Sequence, residues 1–253
     1  PALLLKTRYP EEEVMDFGLA ALLPGFINCH THLEYSAMRG IINDAPYAAW
    51  KTYMLEKEQQ MSDEDWEDSA LLGALEALAS GITTVADMTT TGASARAASE
   101  TGLRAIVYRE VQAVLREEIE AEIERAEADI HAWSDDHADS RITVGIAPYS
   151  LYACHPMVLE RVAELAQEHD LPLALHLAGS HEEYDFIRYG SSPFSIHGWA
   201  DGHHPDESYP SILPTGVSPV RYVTNWGILD RPGTTCVHCT QVDADDIAIL
   251  AEK

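Results

Sequence analysis

The feature that most constrains the fold is a regular alternation of helix-like and strand-like segments from about residue 60 onward. Ser62 and Asp65 form a capping-box pattern that opens a helix, and a strand-like run follows at 82 to 87. Further apolar runs at 103 to 111, 142 to 147, 171 to 177 and 234 to 239 are separated by helical patterns and by a Gly/Pro/His-rich loop at about 190 to 217. Such alternation is typical of βα units around a parallel sheet. With a strand before His30, the sequence predicts six strands, two short of a closed (β/α)8 barrel.

The charge balance limits the partners that the chain can bind. Sixteen Lys and Arg residues stand against 42 Asp and Glu residues, which gives a formal net charge of −26. Nucleic acids and anionic membrane surfaces are therefore poor partners. The acidic residues are spread over helices and loops, which indicates a solvated acidic shell and suggests the hypothesis of a high-salt habitat. We expect a cytoplasmic protein, because no apolar run reaches the roughly 18 residues of a membrane span and the N-terminus has no signal-peptide layout.

The four cysteines do not predict a disulfide framework, because they are few and three of them lie in apolar, strand-like runs. Cys236 and Cys239 have the spacing of a redox or zinc pair. No second pair is available to complete a structural zinc site, so packing as small apolar residues is the favoured interpretation.

Four histidines are the candidate metal ligands. His30 and His32 stand two residues apart, so an extended strand would point both side chains the same way. They follow an apolar run and so lie where a barrel strand would end, at the face that carries active sites. An isolated His-x-His is a weak signal, and a single strand histidine is more often a hydrogen-bonded core residue. His176 and His238, however, close two further strand-like runs, and three such strand ends together favour one shared metal.

Six motifs carry a resemblance to a known family. They are Pro24-Gly-Phe-Ile-Asn-Cys-His-Thr-His-Leu-Glu-Tyr-Ser, Gly81-Ile-Thr-Thr-Val-Ala-Asp, Leu175-His-Leu-Ala, Gly190-Ser-Ser-Pro-Phe, Pro214-Thr-Gly-Val-Ser-Pro and Val237-His-Cys. Together they resemble the amidohydrolase superfamily, in its cytosine-deaminase-like and triazine-hydrolase-like branch, from about residue 15 to 253. The segment His-Leu-Glu-Tyr-Ser-Ala is more similar to aminofutalosine deaminases than to deaminases of S-adenosylhomocysteine or methylthioadenosine.

The resemblance implies a TIM barrel with one divalent metal, Zn²⁺ in preference to Fe²⁺. His30, His32, His176 and His238 would bind this metal or its water, and His238 would also be catalytic. The fifth ligand of such sites is an Asp at the end of strand eight, which we expect beyond residue 253. Asp243, Asp245 and Asp246 are poor substitutes, because they stand at the start of a helix as caps. Residues 1–23 would be the remnant of an N-terminal β-sandwich and residues 24–253 a barrel that is incomplete at its C-terminus.

The implied activity is hydrolytic deamination of an adenine-type nucleoside derivative such as aminofutalosine, with metal-bound hydroxide as the nucleophile. A homodimer is expected by analogy only. Deaminases of this branch usually place a proton-shuttling glutamate three residues after the histidine of strand five. Gly179 occupies that position here, so the shuttle is absent or is supplied by Glu182 or Glu183 from the next turn, and of these two we favour Glu182. A glutamate in a first helical turn is also common simply because the helix dipole favours it.

Further residues are candidates for substrate contacts. They are Glu34, Tyr35, Trp50 and Tyr149. Trp50 is as compatible with packing as with ligand stacking, and Tyr149 stands where relatives often have histidine. Two other functions stay open: a hydrolase for an amide or a halogenated heteroaromatic ring, and a non-catalytic relative that binds a small heterocycle.

Overall fold

The computed structural model describes residues 2–138, 141–191, 193–196 and 214–253. Most of the expected loop at 190 to 217 therefore lies outside the described residues. The described strands are β1 Phe26–Thr31, β2 Ile82–Thr89, β3 Arg104–Val111, β4 Ile142–Pro148, β5 Ala174–Leu177 and β6 Thr235–His238. The described α-helices are α1 Ala2–Arg8, α2 Tyr47–Glu58, α3 Asp63–Ala79, α4 Ala93–Thr101, α5 Ile119–Asp136, α6 Pro156–Glu168, α7 His181–Tyr189, α8 Pro193–Ile196, α9 Pro219–Val223 and α10 Ala244–Glu252.

All strand pairs are parallel, and the strand order follows the chain order. Strands β1 to β4 form one four-stranded sheet, and β5 and β6 form a second, two-stranded sheet. The N–H of Ile146 in β4 donates to the carbonyl of Pro172 at 2.9 Å, which connects the two sheets. This arrangement confirms the predicted βα units and the six strands, which do not close a ring within the described residues. Strand β5 begins three residues later than predicted, because Pro172 has no N–H to donate to a ladder.

The helices begin where the sequence places their caps. The Ser62 hydroxyl accepts the N–H of Asp65 at 3.3 Å, and the Asp65 carboxylate accepts the N–H of Ser62 at 2.9 Å. Asp243 and Asp246 form the same reciprocal pair at the start of α10, as their position predicts. The apolar stripe of α5 is buried, and its members are Ile119, Ile123, Ala126 and Ile130.

A buried ionic group fixes α5 against β3. The guanidinium of Arg109 donates from Nη1 to Glu122 at 3.0 Å and from Nε to Asp129 at 2.8 Å. The Arg109 side chain is 6% exposed, so these two carboxylates compensate a buried positive charge. Strand β3 pairs with β2 on one side and with β4 on the other, so this contact attaches α5 to the interior of the four-stranded sheet.

The N-terminal segment differs from the expected β-sandwich remnant. It consists of α1 followed by irregular chain, with no strand among residues 2 to 25. Several of its apolar side chains are exposed, including Met15, Phe17, Leu19 and Leu22. A strand needs a neighbour for its N–H and C=O groups, and the described residues supply none to this segment. The domain boundary at residue 23 stays a prediction.

Two further expectations concern cysteines and membranes. Cys29, Cys154, Cys236 and Cys239 are all free thiols, in agreement with the sequence-based expectation. Across the described residues, no helix combines the length and apolar composition that crossing a membrane requires.

Candidate metal centre and active site

Three of the predicted histidine ligands meet at the carboxyl ends of the strands. His30 lies near the end of β1, His32 directly follows it, and His176 lies in β5. The centroids of the His30 and His32 rings are 5.0 Å apart, as are those of His30 and His176. Potential ligand nitrogens of all three lie within 4.8 Å of one another. The strands therefore bring together residues that are up to 146 positions apart in the chain.

His238, the fourth predicted ligand, borders this group. Its ring centroid is 5.3 Å from that of His30 and 5.5 Å from that of His176. Its backbone adopts φ 78° and that of Cys239 φ 49°, both in the left-handed region that costs energy for residues with a Cβ. Hydrogen bonds back to the last residue of β5 and to the residue after it hold this turn, namely Cys239 N–H to the Leu177 carbonyl at 2.9 Å and Thr240 N–H to the Ala178 carbonyl at 3.0 Å. The strained turn places the His238 ring beside the three-histidine group.

Hydrogen bonds fix the orientation of two imidazoles. Nδ1 of His32 lies 2.9 Å from the Met88 carbonyl, and Nδ1 of His176 lies 2.7 Å from the Tyr149 carbonyl. Because a carbonyl only accepts, both Nδ1 atoms carry the hydrogen, and both Nε2 lone pairs are free for a metal. Nδ1 of His30 is buried without a hydrogen-bond partner. These three imidazoles fit a bound divalent metal.

The local electrostatics keep these imidazoles neutral. Burial, assisted by His238, lowers the pKa of His30 to about 4. Burial and the neighbouring His30 lower the pKa of His176 to about 3. Burial also moves the pKa of His32 well below its usual value. Neutral imidazole is the metal-binding form, and an imidazole-rich site suits Zn²⁺ among the divalent ions.

Aromatic side chains surround the histidines in a cavity of ≈ 170 Å³. The Tyr47 and Trp50 rings are stacked with centroids 5.8 Å apart, and the Tyr47 and Tyr152 hydroxyls lie 2.9 Å apart. Flat aromatic walls are suited to a planar heterocycle. The residues that line the cavity are His30, His32, Tyr35, Tyr47, Trp50, Lys51, Tyr149, Tyr152, His176 and His238. Tyr35, Trp50 and Tyr149 were predicted to contact substrate.

Lys51 is a cavity residue that the sequence analysis missed. Its side chain is 4% exposed, its Nζ lies 4.7 Å from the Tyr149 ring centroid, and it is 3.3 Å from a carboxylate oxygen of Glu58. Tyr47, Trp50 and Lys51 share one face of α2 because they stand at positions i, i+3 and i+4. That spacing is the signal that would have found Tyr47 and Lys51 once a helix was assigned there.

Glu34 lies outside the described cavity lining, although a substrate contact was predicted for it. Its carboxylate is fully buried and accepts hydrogen bonds from the hydroxyls of Thr89 at 2.5 Å and Thr91 at 2.8 Å. Burial raises its pKa, and the threonine hydrogen bonds oppose that rise. Glu34 therefore ties the chain after β1 to the end of β2 and to the residues that follow it.

Glu182, the predicted proton shuttle, is also absent from the described cavity lining. The next residue, Glu183, is buried, and its carboxylate accepts the N–H groups of Ala178 at 3.1 Å and Gly179 at 2.8 Å. Burial raises its pKa to about 7, against the effect of these two hydrogen bonds. A Cβ added at Gly179 would lie 3.1 Å from Cδ2 of His238. A side chain at position 179 would therefore begin beside the metal-site histidines.

Comparison with known proteins decides the family. The family model of the Amidohydrolase family matches residues 21–253. This chain belongs to the amidohydrolase family. A relative, 5-methylthioadenosine/S-adenosylhomocysteine deaminase of Desulforamulus reducens, is 32% identical over 244 residues, which are 96% of this chain and 50% of the relative. The chain thus spans about half the length of this curated amidohydrolase relative.

Solved structures show the same fold as this amidohydrolase chain. Aminofutalosine deaminase of Helicobacter pylori, in complex with methylthio-coformycin, matches with a TM-score of 0.81 at 19% identity, over 99% of this chain and 59% of that one. Atrazine chlorohydrolase of Arthrobacter aurescens, complexed with zinc, matches with a TM-score of 0.68 at 20% identity, over 91% of this chain and 51% of that one. The predicted resemblance and the α/β fold class are confirmed.

Proposed function

We propose that this protein is a metal-dependent hydrolase that deaminates an adenine-type nucleoside derivative, such as aminofutalosine or methylthioadenosine. The observation that carries the proposal is the group of three neutral imidazoles within 4.8 Å at one end of an aromatic cavity. The name of the 32% identical relative, a deaminase of two adenine nucleosides, supports the substrate class.

His30, His32 and His176 would hold the metal, and Zn²⁺ is the ion that we favour. Their donor set fits it, and the chlorohydrolase of the same fold is a zinc complex. A bound divalent ion supplies Lewis acidity and lowers the pKa of water toward neutrality. Partial burial lowers the pKa of His238 below its usual value, which favours the neutral imidazole. Its imidazole is therefore able to accept a proton from the attacking water.

The cavity accounts for the kind of substrate that we propose. Its volume of ≈ 170 Å³ is below the roughly 300–1,000 Å³ of pockets that enclose drug-sized ligands. It therefore accommodates the heterocyclic base, and the rest of a nucleoside must extend beyond it. Lys51 between the Tyr35 and Tyr149 rings supplies a donor that can orient the base.

Gly179 favours a second candidate, hydrolysis of a heterocycle whose leaving group departs as an anion. An amine must gain a proton before it leaves, and position 179 has no side chain to provide one. A halide leaves without that proton. Atrazine chlorohydrolase shares the fold, which is compatible with this reaction class but does not select it.

The test compares products on the zinc-loaded protein. Ammonia is measured with methylthioadenosine, S-adenosylhomocysteine and aminofutalosine, and chloride is measured with atrazine. We expect ammonia from at least one nucleoside, loss of activity with a chelator, and a decrease of at least about 10³-fold in His176→Ala. Chloride without ammonia would favour the second candidate. Nucleoside binding without product over hours would contradict both and indicate a non-catalytic relative.

A further inference from the structure

A second cluster of metal-ligating side chains lies on the outside of the fold. Glu127 and His131 stand one turn apart on α5, and His169 is the C-cap residue of α6. Nε2 of His169 is 3.0 Å from Oε1 of Glu127, and Nε2 of His131 is 3.9 Å from the same oxygen. One potential ligand atom from each residue lies within 4.8 Å of the other two. Among the described residues, two groups meet this criterion, and the other is the His30, His32 and His176 group.

We infer that Glu127, His131 and His169 form a second transition-metal site, with Zn²⁺ as its ion, that clips α5 to the end of α6. Two imidazoles and one carboxylate are a donor set that zinc accepts with water as a fourth ligand. Tetrahedral zinc with bonds of about 2.0–2.2 Å needs ligand atoms about 3.4 Å apart. Separations of 3.0 and 3.9 Å bracket that value.

The geometry favours a metal over an ion pair alone. The contact between Glu127 and His169 uses two of the three groups, and the His131 ring lies edge-on to the His169 ring with centroids 5.2 Å apart. The His131 nitrogen nevertheless approaches the same carboxylate oxygen, at a distance too long for a hydrogen bond. The side chains of His131 and Glu127 are 61% and 40% exposed, so small rotations bring all three donors onto one ion. The surrounding net charge of −26 favours a cation, and two imidazoles favour zinc over calcium or magnesium.

The position of the cluster gives it a structural role. Helix α6 leads into β5, and His169 lies five residues before Ala174, the first residue of that strand. His176 lies toward the other end of β5, so the surface cluster and the cavity are at opposite ends of the strand. In barrels of this kind the end opposite the active site serves stability. A metal here stabilises the packing of α5 on α6 and takes no part in the reaction.

The test is zinc stoichiometry of the full chain, with zinc alone as the probe. We expect two zinc ions in the wild type, one in His131→Ala, one in His176→Ala and none in the double variant. His137→Ala is the matched control, because it removes a histidine from the end of the same helix outside the cluster, and it should bind two. Loss of one protein ligand should weaken the surface site by at least about tenfold, since even outer-sphere partners are worth about 10- to 100-fold.

A local measurement separates a metal site from a loose surface contact. Zinc should slow amide hydrogen exchange at residues 163 to 171 in His176→Ala, and it should fail to do so in the His131→Ala/His176→Ala double variant. Glu127→Gln keeps the size of the side chain and an oxygen that can face His169 but weakens zinc binding, which guards against a folding defect in the alanine variant. Absence of zinc from His176→Ala, with no change in exchange, would overturn the inference and leave an ion pair only. This outcome would leave the proposed function standing. The cavity site is tested separately by zinc binding to His131→Ala, in which the cavity histidines are intact.

Discussion

Zinc binding at the cavity histidines should persist to unusually low pH. Protons compete with a metal for imidazole nitrogen only as the pH approaches the pKa of the ligand. Burial lowers the pKa of His30 to about 4 and that of His176 to about 3, and it lowers the pKa of His32 well below its usual value. Because these pKa values lie below those of solvated histidines, protons should displace zinc only at a correspondingly lower pH.

The size of the effect follows from the neutral fractions. An ordinary histidine with a pKa of about 6.5 is about 3% neutral at pH 5, and three such ligands would lose about 10⁴-fold in affinity. With pKa values of about 4 and about 3, His30 stays about 90% neutral at pH 5 and His176 almost fully so. Between pH 7.5 and pH 5 we therefore expect zinc affinity to change by less than about threefold.

The assay is equilibrium dialysis at several pH values, with protein-bound zinc measured by mass spectrometry. The protein is His131→Ala, so that zinc at the surface cluster does not contribute. Circular dichroism at each pH ensures that only folded protein is compared. A decrease of more than about a hundredfold between pH 7.5 and pH 5 would refute the reasoning, because it would mean that the histidines titrate as solvated groups.

Three further predictions concern catalysis and stability. Gly179→Glu should raise ammonia release by about 10²-fold while Gly179→Gln does not, since only a carboxyl shuttles a proton; equal rates in the two variants would remove Gly179 as the explanation. Arg109→Met should lower the free energy of unfolding by about 3 kcal/mol in urea titrations, because it removes the buried partner of Glu122, whose other ion pair is with the exposed Arg125, and a loss below about 1 kcal/mol would contradict this. The melting temperature should rise from low to molar KCl as salt screens the charge of −26, whereas a flat or falling response would remove the high-salt hypothesis.

The sequence predicts most of the fold because its signals are local. Buried parallel strands leave apolar runs, and helix starts leave caps such as Ser62 with Asp65. The N-terminal segment could not be predicted in the same way. Strand formation there depends on a pairing partner that is distant in the chain, and local composition does not report it.

The clustering of the histidines could be predicted, whereas only part of the cavity wall could. His30, His32 and His176 occupy strand ends, and parallel strands carry their ends to one face of the sheet. The sequence of helix α2 has no continuous apolar stripe, because the residues that the helix buries are Ala48, Lys51 and Met54. A lysine in the buried stripe contradicts the apolar periodicity by which an amphipathic helix is recognised, so the spacing of Lys51 with Tyr47 and Trp50 is informative only once a helix has been assigned there.

The two glutamates after Gly179 show where closer attention to a motif would have changed the prediction. Ser180 and Glu183 fit the capping-box spacing, and such a glutamate is committed to backbone N–H groups. In the structure the Glu183 N–H donates to the Ser180 hydroxyl, and its carboxylate holds the N–H groups of Ala178 and Gly179. Glu183 therefore braces the turn after His176 and is not free to reach a leaving group. Glu182 lies outside the described cavity lining, and its role as the proton shuttle stays a prediction.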